Sequence, residues 1–148
     1  MKAKSGFTLV EILIVVVILG ILAAIVIPQF TEASTEAKTS SLVTDLQTMR
    51  SQIQLYKIQH NDQLPGSGSA SFEESMTMYT TVLGALATPQ APGNNVYGPY
   101  LRKIPVNQFN NLNTVRYDGA AAGAGTHGWR FDTVTGVFQA DTAEHAGL

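Results

Sequence analysis

Residues Ile12 to Ile27 form an unbroken run of apolar side chains and Gly, and a lone carboxylate, Glu11, stands at its leading edge. Phe7 to Ile27 makes about 32 Å of helix, which matches a hydrocarbon core of about 30 Å. Lys2 and Lys4 precede the run, and no other Lys or Arg occurs before Lys38. The positive-inside tendency then places the N-terminus in the cytoplasm and the remaining chain across the membrane. Glu11 falls about 6 Å inside the helix start, where an ionised carboxylate must snorkel or find a partner.

The rest of the composition narrows the function classes. Of 148 residues, 14 % are charged, a deficit concentrated at the front, and the remainder of the chain is long enough for a modest core. The formal charge is −2, with Lys and Arg scattered, so the basic stripe that nucleic-acid binding needs is missing. The absence of Cys excludes a disulfide framework, thiol catalysis, a lipobox-type anchor and Cys-ligated zinc. The sequence contains no nucleophile elbow, P-loop, dinucleotide fingerprint or H-E-x-x-H. His60, His127 and His145 are expected at a helix end, in a Gly-rich loop and in the tail, each solvated. No enzyme is expected.

Three readings of the front segment compete on the residues alone. A cleaved secretory signal has this polarity but a shorter apolar core and a small-x-small site, whereas Ile27-Pro28-Gln29-Phe30 is a poor one. A permanent anchor accounts for the length and is indifferent to Glu11. Cleavage at Gly6-Phe7 would keep the helix and create an amino group at Phe7. On that third reading Glu11 meets a positive group of another chain at nearly the same depth; the plainer alternative is a snorkelling Glu.

Beyond residue 28 the chain turns polar, and then Leu42, Leu46, Met49, Ile53 and Tyr56 recur at spacings of four and three, a helix seam with one buried side. A helix from about Phe7 to Asn61 would span about 80 Å, so its second half must protrude and carry a head. Asn61-Asp62 and Pro65-Gly66 end it, and residues 65–71 read as a flexible loop. Ser71 with Glu74 forms a capping box that opens a second helix, whose stripe Phe72, Met76, Tyr79, Leu83 and Leu86 is read as core packing. Residues Thr88 to Asn95 read as loop. Val115 to Tyr117, Trp129 to Phe131 and Val137 to Ala140 read as short strands, the last two joined by a hairpin through Asp132 to Gly136. Gly119 to Gly128 is expected to be a mobile surface loop. The fold class is α+β: a long N-terminal helix whose second half packs on a small antiparallel sheet and a short second helix. The expected division is 1–6, a leader; 7–28, a transmembrane and assembly helix; 29–64, its extension; and 65–148, the head.

Ser5-Gly6-Phe7-Thr8-Leu9-Val10-Glu11, the apolar run and Pro28 together resemble the class III signal of type IV pilins and type II secretion pseudopilins. The resemblance implies cleavage after Gly6 by a prepilin peptidase and methylation of the Phe7 amine. It also implies that Glu11 pairs with the Phe7 amine of a neighbouring subunit. Gly20 and Pro28 match positions between which the family's helix is often loosened in filaments; a mildly kinked continuous helix is the alternative. Tyr97-Gly98-Pro99-Tyr100-Leu101-Arg102-Lys103-Ile104-Pro105, Asn107 and Asn110 are similar to the connection into the sheet of major pseudopilins, and Gly128-Trp129, Asp132 and Thr135-Gly136 to their terminal hairpin.

The function this resemblance implies is a structural subunit of a membrane-assembled filament, of major-pseudopilin type, serving type II secretion. Its expected partners are copies of itself in a helical filament, the prepilin peptidase, an inner-membrane assembly platform, minor pseudopilins or pilins, and the membrane. Its expected place is the inner membrane, single-pass, with the N-terminus cytoplasmic and the head periplasmic or extracellular. A type IV pilin for adhesion, motility or DNA uptake is the alternative, disfavoured because many such pilins close a C-terminal loop with a Cys pair. A singly anchored extracytoplasmic binding protein would explain neither Gly6-Phe7 with Glu11 nor the long helix. No cofactor is required. Major pseudopilins as a family hold Ca²⁺ in loops of the C-terminal sheet region, where Asp118, Asp132 and Asp141 are this chain's carboxylates. No motif assigns any of them, and Asp118 and Asp132 equally suit turns.

Overall fold

The computed structural model describes residues 6–89 and 95–148. Of the expected leader only Gly6 is included; Lys2, Lys4 and residues 90–94 of the expected Thr88–Asn95 loop lie outside the described residues. The chain separates between Lys38 and Thr39 into two compact units.

The first unit contains the start of α1, the helix Leu9–Gln59. Among the described residues none of its most apolar stretch is buried. The helix runs through Gly20 and Pro28 without interruption. Pro28 has no N–H, so the Ala24 carbonyl loses its usual donor, and the Thr31 hydroxyl donates to the Ile27 carbonyl at 3.1 Å one turn later.

The second unit is built on the latter part of α1. Leu42, Leu46, Met49, Ile53 and Tyr56 are its buried residues, the expected seam. Asn61 and Asp62 adopt positive φ, 52° and 63°, a conformation these residues tolerate better than most, and the Asp62 N–H caps the Lys57 carbonyl at 2.9 Å. α2, Phe72–Thr77, opens with the expected box: Ser71 accepts from the Glu74 N–H, and the Glu74 carboxylate accepts from the Ser71 N–H.

The second helix is much shorter than its stripe implied. Met78 is extended, and the chain continues as β1, Thr80–Thr81, antiparallel to β2, Val96–Tyr97. The β-branched run Thr80-Thr81-Val82 disfavours helix, and Gly84, at φ 71°, closes a turn with its N–H on the Thr81 carbonyl. Leu83 and Leu86 are consequently exposed, and only Phe72 and Met76 of that stripe reach the core.

β3 (Val115–Arg116), β4 (Trp129–Phe131) and β5 (Phe138–Ala140) form a three-stranded sheet. β4 and β5 make the expected antiparallel hairpin, closed by the Asp132 side chain, which accepts from the N–H groups of Val134 and Thr135. β3 pairs with β4 in parallel, so the sheet is mixed rather than antiparallel. A parallel pair needs a crossover of about a dozen residues or more, and here residues 117–128 supply it as a loop. One sheet face places Val115, Trp129, Phe131, Phe138 and Ala140 in the core with the α1 seam. Arg50 of α1 reinforces that packing, donating to the Phe138 and Leu148 carbonyls.

His60 is not solvated; it is fully buried. Its ring stacks on Tyr56 at 3.7 Å between centroids. Nδ1 lies 2.9 Å from the Tyr56 carbonyl, which can only accept, so Nδ1 carries the proton and Nε2 accepts from Thr80 Oγ1 at 2.9 Å. Tyr97 and Tyr100 enclose the remaining sides. His145 stacks on Phe109 at 3.8 Å, and the His127 ring pairs with the Thr126 hydroxyl.

Met76→Ala should cost about 2–5 kcal/mol in denaturant unfolding, whereas Leu83→Ser should stay within about 0.5 kcal/mol; a continuous second helix would make both costly. Burial lowers the His60 value below the ordinary 6.5, so the unfolded chain takes up the proton more readily. The His60 contribution is therefore complete above about pH 6.5 and declines as pH falls below it, and His60→Phe should flatten the stability slope between about pH 5 and 7.

Candidate assembly site

Phe7 and Leu9 are more than four-fifths exposed, and Ile12 to Ile27 present their large side chains outward all round. Contiguous apolar surface of this extent requires lipid or other protein to cover it, and the helix is long and apolar enough to cross a membrane.

At its start, Thr8 and Glu11 hold each other. The Thr8 N–H donates to Glu11 Oε2 at 2.8 Å, the Thr8 hydroxyl donates to the same oxygen at 2.7 Å, and the Glu11 N–H donates to Thr8 Oγ1 at 3.2 Å. This is a second capping box, on the same spacing as Ser71 and Glu74. Sequence reasoning recognised the later one and missed this one, although the signal is the same. Glu11 thus has a partner within its own chain, one residue along from Phe7. Gly20 has nothing within 4 Å of the position a Cβ would take. Gly6, Phe7, Glu11, Gly20 and Pro28 all lie along or just before the exposed helix.

The three carboxylates weighed for a metal do not converge. Asp132 turns into the hairpin and meets Arg130 at 3.0 Å; the N–H groups of Thr135 and Val134 hold it down to about 2. Asp118 and Asp141 instead meet across Arg116, at 2.7 Å each. Burial works against ionising Asp141, but Arg116 and the N–H groups of His127, Gly123 and Ala124 hold its carboxyl below the usual range. Arg116 also holds Asp118 low. Among the described residues no group of three or more His, Cys, Asp or Glu could hold a metal ion. The sequence reading passed over Arg116, although its place two residues before Asp118 was visible.

Asn107 and Asn110 tie the connection into the sheet. Asn107, fully buried, donates to the Gly128 carbonyl at 2.8 Å, and Asn110 donates to that of His127 at 2.7 Å. A side chain at Gly128 would collide with the Leu112 carbonyl, which explains the residue's place at the head of β4. The Trp129 indole N–H donates to the Pro105 carbonyl.

An exposed apolar helix behind a Gly-Phe-Thr start, joined to a small α+β unit, defines a pilin-like protein, and that helix is consistent with anchoring in a membrane. The prokaryotic N-terminal methylation motif matches residues 1–27. The type II secretion system core protein G of Pseudomonas aeruginosa is 34 % identical over 110 residues, 74 % of this chain and 71 % of that one. Its counterpart in Vibrio cholerae is 30 % identical over 111 residues, 75 % of this chain and 69 % of that one. A fimbrial protein of Pseudomonas aeruginosa is 44 % identical, but over 50 residues, 34 % of this chain and 32 % of its own length. No solved structure matches. The chain belongs to the type II secretion system core protein G family, the major pseudopilins, and is a structural rather than an enzymatic protein.

Proposed function

We propose that this chain is the major subunit of a pseudopilus serving type II protein secretion. The apolar segment 7–27 holds the subunit in the inner membrane, with the N-terminus cytoplasmic and the C-terminal unit on the far side. A prepilin peptidase cuts after Gly6 and methylates the new Phe7 amine, and an inner-membrane assembly platform and minor pseudopilins add the subunit to the filament. The observation that carries this reading is likeness to core protein G through most of the chain, against a fimbrial match confined to 50 residues.

In the filament, Glu11 gives up its bonds to Thr8 for the Phe7 ammonium of a neighbour. That exchange is favourable in lipid, where two opposite charges at one depth neutralise each other and neither can be solvated. Gly20 and Pro28 bound a stretch of helix whose intrahelical hold is weakened, since Gly is permissive and Pro28 lacks an N–H; loosening between them would adjust the packing of neighbours.

Mature protein is expected to begin at methylated Phe7 by mass spectrometry, and an N-terminus retained at Met1 in a host with the peptidase would refute the processing. Glu11→Gln preserves the capping acceptor and deletes the charge. Both Glu11→Ala and Glu11→Gln should insert in the membrane normally and lower the yield of sheared filament about a hundredfold, the size expected for an unpaired buried charge. Normal filaments from Glu11→Gln would show that Glu11 acts only as a helix cap.

A further inference from the structure

The crossover loop 117–128 is one of the loops of the C-terminal sheet region, where the family resemblance implies calcium, and the chemistry there is of the opposite kind. Arg116 is 7 % exposed and Asp141 fully buried. The guanidinium makes five hydrogen bonds: Nη1 to both oxygens of Asp118 at 2.7 and 3.0 Å, Nη2 to Asp141 Oδ1 at 2.7 Å and to the Ala121 carbonyl at 2.6 Å, and Nε to Asp141 Oδ2 at 3.3 Å. That engages all three nitrogens of the guanidinium, with Nη1 forked across one carboxylate. Its acceptors, two carboxylates and a backbone carbonyl, are the oxygen types that a calcium ion gathers, and they surround a guanidinium instead.

Asp141 has no capacity left for a metal. Besides Arg116, Oδ1 accepts from the N–H groups of Gly123 at 3.1 Å and Ala124 at 3.2 Å. Oδ2 accepts from the His127 N–H at 3.2 Å and the Thr126 hydroxyl at 3.5 Å. A carboxylate offers about four lone-pair sites, and here they are met by donors that would point their positive ends at any cation placed among them. A neighbouring guanidinium repeats the pattern: Arg130, paired in register with Arg116, donates to the Ala120 carbonyl at 2.8 Å, to Gln139 and to Asp132.

We infer that Arg116 takes the place of calcium in this chain. Its guanidinium, clamped between Asp118 and Asp141, closes the loop over the polar face of the sheet, and the C-terminal unit folds independently of divalent cations. The inference concerns the fold of that unit and holds whether or not the proposed assembly role is correct.

The test is thermal unfolding of the full chain in detergent micelles, followed by Trp129 fluorescence, in EGTA and in excess CaCl₂. The wild-type midpoint should agree in the two media within about 1 °C; a bound ion at a hundredfold its dissociation constant would raise it by about 10 °C. In EGTA, Arg116→Lys, which keeps the charge but cannot bridge two carboxylates, should lower the midpoint by about 10 °C. The same variant should speed amide exchange at Gly123, Ala124 and His127. Asp118→Asn removes the exposed partner, and a smaller drop is expected. A wild-type midpoint raised by calcium would overturn the inference, as would an Arg116→Lys chain that melts and exchanges like the wild type. If Arg116→Lys does not fold, the wild-type comparison and Asp118→Asn decide.

Discussion

Five side chains on one face of α1, Leu42, Leu46, Met49, Ile53 and Tyr56, organise the second unit, because they offer apolar surface along a rigid rod to which short elements can close. Strands of two or three residues are not stable by themselves. They persist here because Val115, Trp129, Phe131, Phe138 and Ala140 share one core with the helix and with Phe72 and Met76. Polar bonds then complete the closure: Arg50 reaches the Phe138 carbonyl, Tyr100 reaches Gln59, and His60 reaches Thr80.

The same helix solves the opposite problem at its other end. Among the described residues its most apolar stretch is not buried, and contiguous apolar surface of that extent calls for lipid or other protein to cover it. Glu11 is compatible with both situations because it has an internal partner in Thr8 and lies beside the position at which a new amine would form. In the role proposed above, a carboxylate that exchanges one donor for a stronger, charged one would suit a subunit that waits in a membrane before it assembles.

Legibility differed by element for identifiable reasons. The α1 seam repeats over many turns, and long periodicity is hard to produce by chance. The Ser71 box and the Asp132–Gly136 hairpin depend on contacts a few residues apart, so their residue types report them directly. The second helix was overextended because Tyr79, Leu83 and Leu86 happen to continue a stripe, while the local preference of Thr80-Thr81-Val82 and the pairing with Val96–Tyr97 decided otherwise. Gly119 to Gly128 looked mobile because its small side chains offer nothing to pack. Its backbone groups nevertheless bind Asp141, Arg116 and Arg130.

By itself the sequence determined the long apolar N-terminal helix, the motif at Gly6-Phe7 through Glu11, the α+β class and the kinship, since these rest on composition and on residues close together along the chain. Only the tertiary structure decided the parallel pairing of β3, the burial of His60 and the assignment of Asp118 and Asp141 to a guanidinium. Each of these depends on groups distant in sequence, as Arg116 is from Asp141. Whether a carboxylate holds a metal, a turn or an arginine is settled by which donors the fold brings within about 3 Å of it.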